Sequence, residues 1–429
     1  MPSSERSQTL PISLALQIYS LIVLCLFAVL KFIGLFNQAI SRQLEHRFDM
    51  LQQNAVGSPK KDHIFFFCSS AGEYEQAKPL IERWVETGRL NPVTIFFSRS
   101  GYDYAHKKNE ASLYFMAPPD CVWFWELIFR QFRPKATVIV RHEFWPAFVA
   151  VSRKFSFLAA IDVNTAGSSA PWTSSKHALT RKMLSMCDDI STVTELDAET
   201  IRNFAPSFNA NNCRAVGDTK FDRVLQRQKS SEEELIKIDR TVSAHLKPGR
   251  RLVVGSGWPP DIEIALNCFQ RDQKDWVVII APHDIGQPML SLVENMCKSR
   301  NLRFRMFTDE PIPNDPCTVL IINTMGNLAE IYGCSSAALI GGALTHQVHN
   351  VLEPACYGIP IAFGPRYLNS GEAKLLARRG LATVIQSSEE LAVWQQNSTA
   401  QSPAAMRAFI AQMTGASDRV YSFLSDKTT

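Results

Sequence analysis

The sequence predicts an α/β protein of two parallel-sheet domains facing a cleft, and three patterns carry that expectation. Short apolar runs alternate with segments of helical spacing between residues 63 and 365. Runs of this kind are strands buried on both faces, and the helical segments are their crossovers. The alternation occurs twice, on either side of a charged helical stretch at 224–250 that reads as a hinge region. The length of 429 residues also exceeds one ordinary core.

Composition narrows the function classes. The chain is 46% hydrophobic and 20% charged, which is globular rather than disordered. A net charge of +4, with no basic run interleaved with aromatics, argues against a nucleic-acid partner. The ten cysteines stand singly, without a C-x-x-C pair, as in proteins of a reducing compartment. The nine histidines show neither H-E-x-x-H nor H-x-x-x-H spacing, so no protein-bound metal is expected.

Taken in order, the chain opens with a run from Ser7 to Leu30 that holds no charged residue. It is long enough to span a bilayer as a helix, and no small-residue cleavage site follows it. Arg6 is the one basic residue before the run, whereas Lys31, Arg42 and Arg47 follow it. That bias predicts an anchor and basic juxtamembrane segment (1–48) with the body on the cytoplasmic side. After a polar linker (57–62), apolar strands are expected at HIFFFC (63–68), VTIFFS (93–98), LYFM, ATVIV (136–140), SFLAAID and ISTVT (190–194). Thr194 is a plausible N-cap for the helix after the last of these. The second series runs through RLVVGS (251–256), WVVIIAP (276–282), LRFRMF (302–307), TVLIINT (318–324), AALIGG (337–342) and PIAFGP (360–365). Domain limits are placed at 49–225 and 226–390, with closing helices (391–429) packing back on the first domain.

Ligands of open parallel sheets bind outside the carboxyl ends of the strands. The suggestive turns all fall there: SSAGE, GDTKFD, GSGWPP, APHD, NTMGN and GGALTHQVHNVLEP. The last runs from the glycine turn Gly341-Gly342 to a short helix opened by His349-Asn350, an order that aims backbone N–H groups and a helix start at one point. Glu353 is placed to take the two hydroxyls of a ribose, or else is a surface carboxylate. Glu73, behind Gly72, is a candidate base, or else a first-turn acid favoured by the helix dipole. Trp123, Phe124, Trp125, Phe129 and Arg130 are candidates for a membrane-facing surface, or else for a core helix face.

The ordered set of these segments resembles the 3-deoxy-D-manno-octulosonic acid (Kdo) transferases over nearly the whole chain. The resemblance rests on SSAGE, EFWP and TKFD, then on NTMGNLAEIYG and IGGALTHQVHNVLEPACYGIPIAFGPRYLN. It implies a GT-B fold of two Rossmann-like domains with an N-terminal membrane anchor. It also implies an inverting, metal-independent glycosyltransferase of lipopolysaccharide biosynthesis at the inner membrane. The donor would be CMP-Kdo, the acceptor a lipid A precursor, and no cofactor is implied. By the same resemblance Glu73 is the proton acceptor and Lys220 a charge stabiliser. Pro282, His283, Met325, Gly326, Asn327, Gly341, Gly342, His349, Asn350, Val351, Leu352 and Glu353 line the donor site.

The chain departs from the family at several of these positions. Arg141 stands where the family has the transition-state acid, and His283 where it has a donor-binding arginine. Trp258 replaces a polar side chain, Asn327 replaces a glutamate, and Gln347-Val348 replaces a Gly-Gly in a loop one residue shorter. Another CMP-linked ulosonic acid, another nucleotide sugar, or a silent relative that binds glycolipid or nucleotide are the alternatives these changes leave open.

Overall fold

A computed structural model describes residues 13–52, 62–108, 112–141, 143–165, 178–204, 212–271, 275–398 and 402–428. Arg6, His142 and most of the polar linker lie outside them. The chain divides into two compact units, Met1–Arg223 with Thr414–Thr429, and Val224–Met413.

The first unit holds a sheet of seven strands: β1 (His63–Cys68), β2 (Asn91–Phe96), β3 (Leu113–Met116), β4 (Pro134–Val140), β5 (Phe157–Val163), β6 (Asp189–Thr192) and β7 (Cys213–Ala215). Their order is β3-β2-β1-β4-β5-β6-β7, and every pair is parallel. The apolar β1 explains itself in this position. Phe65 and Phe67 enter one core, which includes Trp125 and Phe129 of helix Val122–Phe132. Ile64, Phe66 and Cys68 enter the opposite core, under helix Ala71–Thr87. A strand covered on both faces cannot alternate apolar with polar.

The second unit repeats the plan with β8 (Arg250–Gly257), β9 (Trp276–Pro282), β10 (Phe304–Met306), β11 (Val319–Ile321), β12 (Ala337–Ile340), β13 (Ile361–Phe363) and β14 (Ala382–Val384). The order is β10-β11-β9-β8-β12-β13-β14, again all parallel. Each sheet reverses its winding once beside its first strand, between β1 and β4 and between β8 and β12. Those two gaps are where parallel sheets of this type hold ligands.

Several boundaries differ from the sequence reading. β2 begins at Asn91 and includes Pro92, because its pairing with β3 starts only at Val93. A proline missing its N–H is tolerated where no neighbour needs it. β14 escaped notice because three residues, ATV, give no periodicity. Thr194 does cap helix Glu195–Phe204: its hydroxyl accepts the Asp197 N–H while the Asp197 carboxylate accepts the Thr194 N–H. Helix Ala416–Lys427 belongs to the first unit, where Asp222 accepts the N–H groups of Gly415 and Ser417 at 2.5 and 2.7 Å. Of the two readings open for Trp125 and Phe129, a membrane-facing surface or a core helix face, the structure gives the core. Trp125 is 1% exposed, while Trp123 on the other face of its helix is 45% exposed.

Candidate active site

In the first unit, the turn after β1 delivers Glu73. Ser70 caps helix Ala71–Thr87 by accepting the Glu73 N–H, and the Glu73 carboxylate in turn accepts the Ser69 N–H. This reciprocal arrangement fixes the side chain over the strand end. Burial pushes the Glu73 carboxyl above its ordinary range. The bonds to Ser69 oppose that shift, the charge of Glu143 adds to it, and Arg141 opposes it. Glu73 and Arg141 therefore flank the β1/β4 gap within electrostatic reach of each other.

Arg141 follows β4 with φ +64°, and Asp162 in β5 has φ +55°. Two side-chain-bearing residues in the left-handed region cost of order 1–3 kcal/mol each, and such strain gathers at functional sites. Asp162 is buried and accepts both the N–H and the hydroxyl of Thr219. Burial, with the neighbouring Asp218 charge, pushes its carboxyl up to about 7, against Thr219 and Arg141. Asp218 accepts the Lys220 N–H at 2.9 Å and the Gln76 amide at 3.2 Å. Lys220 thus sits in the first turn of helix Thr219–Ser230, against the helix dipole, with Asp222 in the same turn. The buried Arg141 Nε has no hydrogen-bond partner among the described residues.

In the second unit, the β8/β12 gap is closed by glycine. A Cβ on Gly341 would stand 2.3 Å from the Ser256 carbonyl oxygen and 2.7 Å from Gly257 Cα, and Gly342 has φ +91°. Asp261, buried in helix Pro259–Arg271, joins the two turns: its Oδ2 accepts the N–H groups of Trp258 at 3.0 Å and Gly342 at 2.8 Å. Gly341→Ala should lower the stability of this unit by about 1–3 kcal/mol. Gly371→Ala, with open space around it, should be silent in the same thermal melts.

Around that strut lie an indole and three imidazoles. The Trp258 ring stacks on His283 at 3.6 Å and packs against His346 at 3.9 Å. Its Nε1 donates to His349 Nε2 at 3.2 Å, which makes that nitrogen an unprotonated acceptor. Burial first, then His283 and His346, lower the His349 pKa. His283 follows Pro282 at the end of β9, and its N–H donates to Gly257 O. The buried His283 Nδ1 and Asp261 Oδ1 make no hydrogen bond among the described residues. Asp261 and His283 stand within electrostatic reach of each other.

The remaining nominated residues gather around Arg227. Its guanidinium donates to Gly326 O at 3.0 Å and pairs with Glu330 at 3.8 Å and Glu353 at 3.7 Å. Met325 is exposed, and Asn327 bonds Thr324 at the start of helix Leu328–Gly333. Asn350 Oδ1 accepts the Leu352 N–H at 3.0 Å, while the Val351 and Leu352 side chains are buried. Those two can meet a ligand only through backbone. Both helices here, Leu328–Gly333 and Leu352–Tyr357, are six residues long. Helices of under two turns carry little macrodipole, so positive charge at this site comes from Arg227 more than from helix ends.

Sequence reasoning missed Asp162, Asp261, Arg227 and His346. Asp261 had one legible signal: an acid three residues after Trp258, before an apolar run, is half of a capping box. Arg227 was one cation in a charged stretch, with nothing local to set it apart.

The family described as 3-Deoxy-D-manno-octulosonic-acid transferase (kdotransferase) matches residues 42–223. A "Bifunctional glycosyltransferase/methyltransferase" of Fusobacterium nucleatum is 27% identical over 354 residues, 79% of this chain and 53% of that one. The chain thus spans about half of that relative. The 3-deoxy-D-manno-octulosonic acid transferases of Aquifex aeolicus and Rickettsia bellii are 25% and 23% identical, over 77% and 87% of this chain and 84% and 87% of theirs. Among solved structures, a UDP-GlcNAc 2-epimerase from Neisseria meningitidis has TM-score 0.60 at 10% identity, over 85% of this chain and 99% of that one. A glycosyltransferase from Rickettsia africae has TM-score 0.56 at 10% identity, over 86% and 98%. These likenesses show the two-sheet GT-B type of fold. The first part of the chain matches the Kdo transferase family model, and Kdo transferases are similar to this chain over most of its length.

Proposed function

We propose that this protein is an inverting, metal-independent transferase that moves Kdo from CMP-Kdo to a lipid A precursor at the inner membrane, its two units in the cytoplasm. The observation that carries the proposal is Glu73, a carboxyl of raised pKa fixed at the carboxyl edge of the first sheet in a chain similar to this family. Glu73 takes the proton of the acceptor hydroxyl as its oxygen attacks the anomeric carbon. The bond to the phosphate breaks, and its electron pair leaves with CMP. Lys220 and Arg141 supply positive charge on the first unit. On the second, Gly341-Gly342, Pro282-His283 and His349 to Glu353 hold the nucleotide, with the Met325 to Asn327 turn. Preorganised charge of this kind stabilises a leaving phosphate without a metal.

Release of the free nucleotide, CMP from CMP-Kdo or another CMP-ulosonate and UDP from UDP-GlcNAc, each in EDTA with the lipid acceptor, tests this. Release confined to CMP-Kdo and dependent on acceptor is expected. Turnover only with UDP-GlcNAc refutes the donor. The charge changes at Arg141 and His283 favour the second CMP-ulosonate as the alternative donor, since both stand at positions the family uses on substrate. If the two changes compensate, Arg141→Glu with His283→Arg should lose less rate than the sum of the single losses. Strictly additive losses would reject compensation.

A further inference from the structure

Helix Leu14–Gly34 is long and apolar enough to cross a bilayer. Its side chains are nevertheless committed to the first unit along half of its length. Leu16 and Tyr19 pack on the core beneath helix Val122–Phe132. The Tyr19 hydroxyl donates to Asp120 at 3.0 Å. Ser20 is fully buried, and its hydroxyl accepts the Val122 N–H at 3.1 Å. Asp120 is no incidental surface acid. It also accepts the Trp125 indole N–H and the N–H groups of Ala147 and Phe148. Farther along, Phe27 meets Phe48 edge-on at 5.6 Å, and Phe48 meets Phe124 at 5.5 Å.

The chain then turns back. Helix Gln38–Leu44 follows after three residues, and a Cβ on Gly34 would lie 3.4 Å from the Ser41 backbone. Arg47 re-enters the unit, bonding the carbonyls of Ala117 and Phe97 at 3.0 Å each.

Length decides what this permits. Residues 16–27 cover about 18 Å of helix alongside the folded body. What remains beyond Phe27 covers about 10 Å, against a hydrocarbon core of ~30 Å. A spanning orientation would carry Asp120 and the ends of two body helices into lipid, or else break every one of these bonds. The opposite face is bare and apolar: Leu14, Ile18, Leu21, Ile22 and Val29 are all exposed, at helical spacing. Trp123 and Leu127 on the neighbouring helix are exposed as well. Lys31, whose ammonium lies over the Phe27 and Phe48 rings, and the exposed Arg42 of helix Gln38–Leu44 suit anionic headgroups.

We propose that Leu14–Gly34 lies along the surface of one leaflet, its bare face and Trp123–Leu127 in lipid, and does not cross the membrane. The proposal rests on the membrane reading of this helix and corrects its geometry. The partner is the lipid bilayer on the side that holds the body.

Sidedness tests it. In the full chain with Cys25→Ser, a cysteine is placed by Ser4→Cys or, as a body reference, by Lys237→Cys. Inner-membrane vesicles of either orientation are treated with a membrane-impermeant maleimide. Labelling of both positions from the same side is expected. Labelling of Ser4→Cys only from the side opposite the reference overturns the proposal while sparing the membrane reading. Failure of the protein to float with phosphatidylethanolamine–phosphatidylglycerol vesicles overturns both. Ile18→Glu with Ile22→Glu should weaken flotation by about tenfold or more. Leu196→Glu, on an exposed apolar residue of another helix, should leave it unchanged.

Discussion

Glu73→Gln should lower turnover by about 10²–10⁴-fold, the range for loss of a general base. Donor affinity should survive, because Glu73 belongs to the first unit and the proposed donor residues to the second. The glutamine keeps the volume and can still accept the Ser69 N–H, so folding is not at stake. Single-turnover transfer and CMP binding by calorimetry separate the two effects. The pH profile adds a signature that a structural role would not produce. The base works ionised, and burial raises its pKa, so the rate should fall with acidification at a pH above the ordinary glutamate range. Glu143 contributes to that rise, so Glu143→Gln should shift the acid limb to lower pH.

Asp261→Ala should have the second largest effect, on binding and stability together. It leaves the N–H groups of Trp258 and Gly342 without their acceptor, and each such loss costs about 1–3 kcal/mol. It also frees the turns after β8 and β12 from each other, so the imidazoles lose the frame that positions them. CMP affinity should fall by about tenfold or more, as expected for 1.4 kcal/mol of lost preorganisation. Lower stability with unchanged CMP affinity would make Asp261 a structural strut alone.

How much of this was legible in the sequence follows from where each signal lives. β1, β4, β8 and β9 are central strands, and their unbroken apolar runs announce burial on both faces. The edge strands β7 and β14 are three residues each and lean on a single neighbour, too little to leave a period. Glu73 and the Gly341-Gly342 turn were visible because turn chemistry is local: a cap, a helix start, a close approach. Arg227 and the pairing of Asp162 with Thr219 were not, since their partners lie 57 to 126 residues away in the chain. The three imidazoles on Trp258 show the same limit. As single departures from a family pattern, His283 and Trp258 read as losses. The fold stacks them into one another, and the losses become a new surface. Helix Leu14–Gly34 shows the converse, for composition alone gives its length and apolarity but not the Tyr19 and Ser20 bonds that tie it down.

The most direct measurement is mass spectrometry of the lipid after purified full-length protein is incubated in EDTA with CMP-Kdo and a lipid A precursor. The account predicts a lipid heavier by whole Kdo residues, one CMP released for each, and neither product with Glu73→Gln. An unchanged lipid, with CMP-Kdo intact or hydrolysed to free sugar, would contradict it.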